Sequence, residues 1–315
     1  MGLTRNEPIF AALESTYNDG TVPAGADAIL AQSPQFDPVA NANFTERETV
    51  RAGTLAKPAG IYGGAAPTLN FSVELKGSGS LGVAPEWGRL LRACGFVETI
   101  NPGVSVVYTP RPANTTFESL AIHHWWANKR YVLGGIRGNV VLNASVGQVP
   151  LLEFTFTCRM ADGSHGDVAQ YTPVYDTTVP VAFRGDNFLA VGGFNPAFTE
   201  LSIDPQWTTA ISQNANAADG YGEIRVTERQ VSVSLDPEDT DVATKDWLGA
   251  IQTNASEALS LTHGSVAGNR VNIAMPALRP NTHGAGDRDG VRTIDYGYIA
   301  DETAALNDEI TITLD

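Results

Sequence analysis

The sequence predicts a mainly β protein made of two tandem β-sandwich or barrel domains with antiparallel strands and one flanking α-helix each. Three observations lead there. Apolar and polar residues alternate along many short segments, the period of half-buried strands. Turn formers are plentiful, with 31 Gly and 18 Pro in 315 residues, while charged residues make up only 17%, against an average of about 25%. Pieces of the first half also recur, in order, in the second, and a long-period repeat fixes architecture before any single motif does. Two copies are too few for a solenoid, so two similar domains packed together are expected.

The repeat is carried by short matches. Asp27-Ala28-Ile29-Leu30 with Phe36-Asp37-Pro38-Val39 resembles Asp186-Asn187-Phe188-Leu189 with Phe194-Asn195-Pro196-Ala197. Phe71-Ser72-Val73-Glu74-Leu75 matches Val231-Ser232-Val233-Ser234-Leu235, at the same spacing that separates Trp87 from Trp247. Asn128-Lys129-Arg130 pairs with Gly268-Asn269-Arg270, and Gly147-Gln148-Val149 with Asp289-Gly290-Val291. The second copy lacks the segment around Val97 to Pro112. The expected division is an N-terminal arm over 1–25, a first domain over 26–160, a linker or excursion over 161–185 and a second domain over 186–315.

Along the chain, Phe71, Val73 and Leu75 share one strand face, as do Val140, Leu142, Ala144 and Val146. Leu152, Phe154, Phe156 and Cys158 oppose Glu153, Thr155 and Thr157. In the second half Ile294, Tyr296 and Tyr298 alternate, and Ile310, Ile312 and Leu314 close the sequence. This alternation marks antiparallel strands, since parallel ones read as continuous apolar runs. Each half has one helix candidate. Pro85 and Glu86 suit a helix start, and Trp87, Leu90, Leu91 and Cys94 make one apolar stripe that Gly95 ends. The second helix is expected to be capped by Thr244 and to pack through Trp247, Ala250 and Ile251. Two segments resist strand assignment: Arg51 to Pro67, rich in Gly, Ala and Pro, and Ser212 to Tyr221, rich in Asn, Ala and Gly. Long loops at matching places in both copies are expected to make contacts.

Composition excludes several classes. With a net charge of −15 the chain should not grip nucleic acid, because phosphate binding needs Lys and Arg to displace counterions. It could surround DNA without adhering to it. No stretch reaches the roughly 18 apolar residues of a membrane helix, and no secretory leader pattern opens the sequence. Without that route the sequons at Asn43, Asn114, Asn143 and Asn254 carry no weight. Cys94 and Cys158, far apart, read as buried free thiols.

No motif survives as a catalytic or cofactor site. Gly77-Ser78-Gly79-Ser80-Leu81-Gly82 fits G-x-G-x-x-G, but its flanking strands alternate and no acidic residue follows at about 20 residues. The matching turn of the second copy, Asp236-Pro237-Glu238-Asp239-Thr240-Asp241, would repel phosphate. That turn and Asp287-Arg288-Asp289-Gly290 lack calcium-loop length and read as solvated turns. His123 and His124 point to opposite strand faces and so do not converge on a metal. No nucleophile–base pair is evident, and an enzyme is not expected.

The residues do resemble a family, the major tail tube proteins of long-tailed bacteriophages. The resemblance rests on Glu14-Ser15-Thr16-Tyr17, Gly25-Ala26-Asp27-Ala28-Ile29-Leu30, and Val73-Glu74-Leu75-Lys76-Gly77-Ser78-Gly79 running into Ala84-Pro85-Glu86-Trp87-Gly88-Arg89-Leu90-Leu91-Arg92-Ala93-Cys94-Gly95-Phe96. Gly135-Ile136-Arg137-Gly138-Asn139-Val140 and Leu151 to Thr157 add to it. It implies a virion subunit in rings stacked as a hollow tube through which DNA leaves, with tape measure, terminator and distal tail proteins as partners. Single-copy relatives form six-membered rings, so two copies per chain imply a pseudo-hexameric trimer. On this reading Lys57 to Pro67 and Asn214 to Tyr221 reach the adjacent ring, helped by the N-terminal arm. The expected contact residues are Arg51, Lys57, Tyr62, Pro67, Asn214, Asn216 and Tyr221. An acidic lumen would keep DNA mobile. The alternative is a host-surface or carbohydrate-binding β-sandwich module of a virion, with Trp125 and Trp126 as its only candidate binding aromatics.

Overall fold

A computed structural model describes residues 6–51, 53–160, 163–185 and 187–315. Ala161 and Asp162 of the expected linker, and Asp186 at the start of the expected second domain, lie outside the described residues. So do the first five residues of the arm and Ala52 of the first loop.

The elements follow in order: β1 (Ile9–Leu13), β2 (Ala28–Ile29), β3 (Ala31–Asp37), β4 (Phe44–Thr45), β5 (Ile61–Tyr62), β6 (Thr68–Glu74), α1 (Gly88–Ala93), β7 (Phe96–Asn101), β8 (Ser105–Pro110), β9 (Leu120–Trp126), β10 (Lys129–Ser145) and β11 (Leu151–Arg159). Then come β12 (His165–Asp167), β13 (Asn187–Val191), β14 (Glu200–Asp204), β15 (Thr208–Gln213), β16 (Tyr221–Glu228), β17 (Ser232–Leu235), α2 (Trp247–Gln252), β18 (Glu257–His263), β19 (Val271–Arg288), β20 (Val291–Ala300) and β21 (Thr311–Leu314). The fold is mainly β with antiparallel pairing, and the two α-helices among the described residues are short.

In the first half the ladder runs β3–β6–β11–β10–β9–β1–β2. In the second it runs β14–β17–β20–β19–β18–β13. The strand β10 is long enough to change neighbours. Its start pairs with β9, and its end, Leu142 to Ser145, pairs with Ile203 to Glu200 of β14. A second seam joins β8 to β21. The halves therefore share sheet, and a single apolar core cluster contains residues from Ile9 to Leu314.

The alternating strands fold as their pattern dictates. Leu69, Phe71 and Val73 of β6 are buried and stand opposite Phe156, Phe154 and Leu152 of β11, which are buried too. Each such side chain contributes about 1.5–3 kcal/mol on leaving water. Tyr296 and Tyr298 of β20 and Ile310, Ile312 and Leu314 at the end are also buried, while Val146 is exposed. Trp87, Leu90, Leu91 and Cys94 form the buried side of α1, and Trp87 Nε1 donates to the Lys76 carbonyl at 2.8 Å. Trp247 and Ala250 are buried in α2, with Ile251 partly buried against the core. Both cysteines are free and buried, and burial pushes both thiols well above their ordinary pKa.

Two local expectations change. Residues 9–13, expected within an arm, are a core strand seated between β2 and β9, with Ile9, Phe10 and Ala11 fully buried. A strand covered on both faces loses its alternation, so Ile-Phe-Ala-Ala-Leu carries no period-2 signal. The cap of α2 is Asp246 rather than Thr244, because the Asp246 carboxylate accepts from the Gly249 amide at 2.7 Å. Thr244 instead sits in a turn, its amide donating to the Asp241 carbonyl at 2.8 Å.

Candidate assembly surfaces

The two unassigned loops interrupt adjacent strand pairs. The first excursion, with the β4–β5 hairpin, lies between β3 and β6, and the second, the β15–β16 hairpin, lies between β14 and β17. The fold brings them together at their feet. Tyr221 is buried and its hydroxyl donates to the Asn41 carbonyl at 2.9 Å. Gly64 adopts a positive φ of 107°, and a Cβ there would collide with the Asp219 carbonyl. Arg159 clamps Asp219 with two bonds of 2.9 and 2.8 Å, the bidentate geometry that fixes orientation as well as charge.

Of the expected contact residues, Pro67 and Tyr221 thus stand at the feet, buried; the Pro67 carbonyl accepts from the Cys158 amide at 2.8 Å. Arg51, Lys57, Tyr62, Asn214 and Asn216 are exposed. Lys57 reaches Glu48 at 3.9 Å with both side chains in solvent, a pair of small energetic consequence. Tyr62 leans on Phe44 across the hairpin with ring centroids 5.6 Å apart. Asn214 turns the second hairpin, its amide donating to the Gly220 carbonyl at 3.0 Å while its side chain accepts from the Asn216 amide. Val50 and Leu55, at the end of the first excursion, are fully exposed.

Sequence reasoning missed the residues that hold this platform. Arg137 is buried and donates to the Phe117, Glu118 and Ile224 carbonyls and to Glu223, with its guanidinium 5.0 Å from the Tyr17 ring. Tyr17 in turn accepts from the Ile224 amide at 2.8 Å. The residues that connect the hairpins lie far apart in sequence, so no local spacing announces them. The Asp219-Gly220 dipeptide, a turn signal, was the one visible hint.

The remaining motifs have structural roles. The glycine-rich turn touches the other half: Gly77 donates to Asn269 Oδ1 at 2.7 Å, Gly79 donates to the Gly268 carbonyl at 3.0 Å, and a Cβ on Gly77 would strike that carbonyl. Its glycines permit close backbone approach rather than phosphate binding. Asp236 of the acidic turn accepts from the Thr199 and Glu200 amides and from Arg288. Burial raises its pKa, but those partners outweigh it and hold the carboxyl below its usual range.

His123 and His124 are buried on opposite faces; His123 meets the Tyr171 hydroxyl at 3.0 Å and His124 packs edge-on against Phe36. Burial lowers both to about 4, helped for His123 by Arg130. Among the described residues no cluster of three His, Cys, Asp or Glu could hold a metal. Trp125 is buried with its indole nitrogen donating to the Val168 carbonyl, which leaves Trp126 half-exposed alone. Among the described residues no helix is long and apolar enough to cross a membrane. No family model matches the chain, and no curated protein matches it significantly.

Proposed function

We propose that the chain is two copies of one β unit and that it is a structural subunit of a bacteriophage tail tube. Three chains would form a pseudo-hexameric ring, and stacked rings would enclose an acidic channel that conducts DNA during ejection. The observation that carries the reading is the strand path. The ladder β3–β6–β11–β10–β9 has the order of β14–β17–β20–β19–β18; beyond it β13 pairs directly with β18, whereas β1 stands between β9 and β2. Registers agree as well. Phe71 faces Phe154 as Leu235 faces Tyr296, and Phe36 faces Leu69 as Ile203 faces Val233.

This register revises the match read from sequence. Phe71 corresponds to Leu235, not Val231, and Gln35-Phe36-Asp37-Pro38 to Ser202-Ile203-Asp204-Pro205, not to the segment at Phe194. Both Asp-Pro ends make the same turn: Asp37 accepts from the Val39 amide at 3.0 Å and Asp204 from the Gln206 amide at 2.7 Å. The excursions that follow, the paired hairpins, would bridge to the next ring through their exposed ends. On this reading, which the resemblance supports, the subunit would belong to the virion, with tape measure, terminator and distal tail proteins as neighbours. A net charge of −15 suits a wall that must not retain DNA by counterion release.

Electron microscopy of the purified protein tests this. Rings and tubes with threefold or pseudo-sixfold symmetry are expected, and dispersed single chains at high concentration would contradict it. Removing residues 47–59 should leave a folded chain that forms rings but not tubes. Undiminished tubes from that deletion would exclude the hairpin as the inter-ring bridge.

A further inference from the structure

The intramolecular seam between the halves leaves its counterpart open. At the seam, the end of β10 receives β14, with Leu142 opposite Ile203 and Asn143 opposite Ser202. The corresponding stretch of β19 follows from shared partners: Val140 faces Phe154 as His283 faces Tyr296, and Leu142 faces Leu152 as Ala285 faces Ile294. Along Thr282 to Arg288 this strand pairs with β20 on one side, and among the described residues nothing pairs on the other. Burial records the missing neighbour. Val140, Leu142 and Ala144 are at most 5% exposed, whereas His283, Ala285 and Asp287 are all exposed. The strand that corresponds to β14 is β3, and among the described residues it too pairs on one side alone, with β6.

We infer that the free edge of β19 takes β3 of a second copy of this chain, repeating between chains the seam that β10 and β14 make within one. The inference rests on the tandem-unit reading above and adds the edges and the register. Transferring the seam register sets Ala285 opposite Phe36, Gly286 opposite Gln35 and Gly284 opposite Asp37. Pro34 has no amide hydrogen, so the ladder is confined to Gln35–Asp37. The seam also carries a polar contact, Asn139 Nδ2 donating to Asp204 at 2.7 Å. Its counterpart is Thr282, whose exposed hydroxyl donates to Asn281 Oδ1 at 3.1 Å in the single chain and would turn to donate to Asp37 of the second copy. The contact is head-to-tail: one chain offers β19 and the next offers β3, so copies continue until the ring closes. Flat free edges invite strand addition, and here one sequence supplies both edges.

Directly opposed residues of antiparallel strands lie within disulfide reach. Phe36→Cys and Ala285→Cys are therefore prepared as separate single variants, mixed under assembly conditions and oxidised. The native thiols are buried and do not compete. A disulfide-linked two-chain species in the mixture, at least tenfold above either variant alone, is the expected result. Tubes that form without this cross-link overturn the seam while leaving the tube reading in place. Failure of the unmodified protein itself to assemble overturns both.

Ala285→Arg guards against a variant that merely misfolds. Its side chain is exposed in the single chain, so the thermal transition should stay put while assembly falls at least tenfold. Assembly at the normal level would contradict the seam.

Discussion

On the proposed tandem-unit reading the ends of β10 and β19 correspond, yet one is covered and the other bare. In β10 the inward residues are Val140, Leu142 and Ala144, closed over by β14 and by Ile273 and Ile312 of the second half. In β19 they are His283, Ala285 and Asp287, in solvent. The difference teaches that burial here is set by whether a neighbour is supplied in the same chain. Sequence has followed that setting. A seam closed within the chain tolerates full apolarity, while an exposed edge is kept in solution by polar residues such as His283 and Asp287, which also keep it from pairing indiscriminately.

The largest test of the comparison concerns the two tryptophans. Trp87, just before α1, and Trp247, at the start of α2, are both buried. If the halves share one core, Trp87→Ala and Trp247→Ala should each cost about 3–5 kcal/mol and shift a single cooperative transition. Two transitions, with each variant moving only one, would mean that the halves unfold independently. Next, Leu142→Ala should cost about 2–5 kcal/mol in urea unfolding, whereas Ala285→Arg should stay within about 0.5 kcal/mol. Equal losses would erase the contrast between closed and open ends.

Acid should weaken the first half through its histidines. His123 and His124 have folded pKa values near 4, below the unfolded value of about 6.5. The unfolded chain therefore binds more protons between those values, and stability is complete above about pH 6.5 and falls as pH drops toward 4. The loss is up to about 3 kcal/mol for each fully buried imidazole. Replacing both with Gln should flatten the melting temperature across that window, and an unchanged slope would show that other groups govern it. The smallest effect separates the helices. Asp246 caps α2, whereas α1 has no side-chain cap, so Asp246→Ala should cost about 1 kcal/mol by thermal melting.

Much of the fold was legible because its strands are covered on one face. Leu152-Phe154-Phe156-Cys158 and Ile294-Tyr296-Tyr298 declare themselves by alternation, and both helices by their tryptophan stripes. Strand β1 was not, since burial on both faces removes the alternation. On the tandem-unit reading, the match by sequence and the match by ladder partners differ by four residues at Phe71, because strands of similar pattern slide past one another in sequence. Only partners across the ladder fix them. The platform was partly legible: the Gly- and Asn-rich loops stood out, but Arg137 and Arg159, which anchor the second hairpin, and Asn41, which meets it from the first excursion, act over long separations and leave no local mark.

The most direct test is the native mass of the assembled particles. One chain weighs 33.4 kDa, and the proposed pseudo-sixfold ring of two units per chain predicts closed particles whose chain number is always a multiple of three. Particles of four, five or seven chains, or single chains at every concentration, would contradict the account.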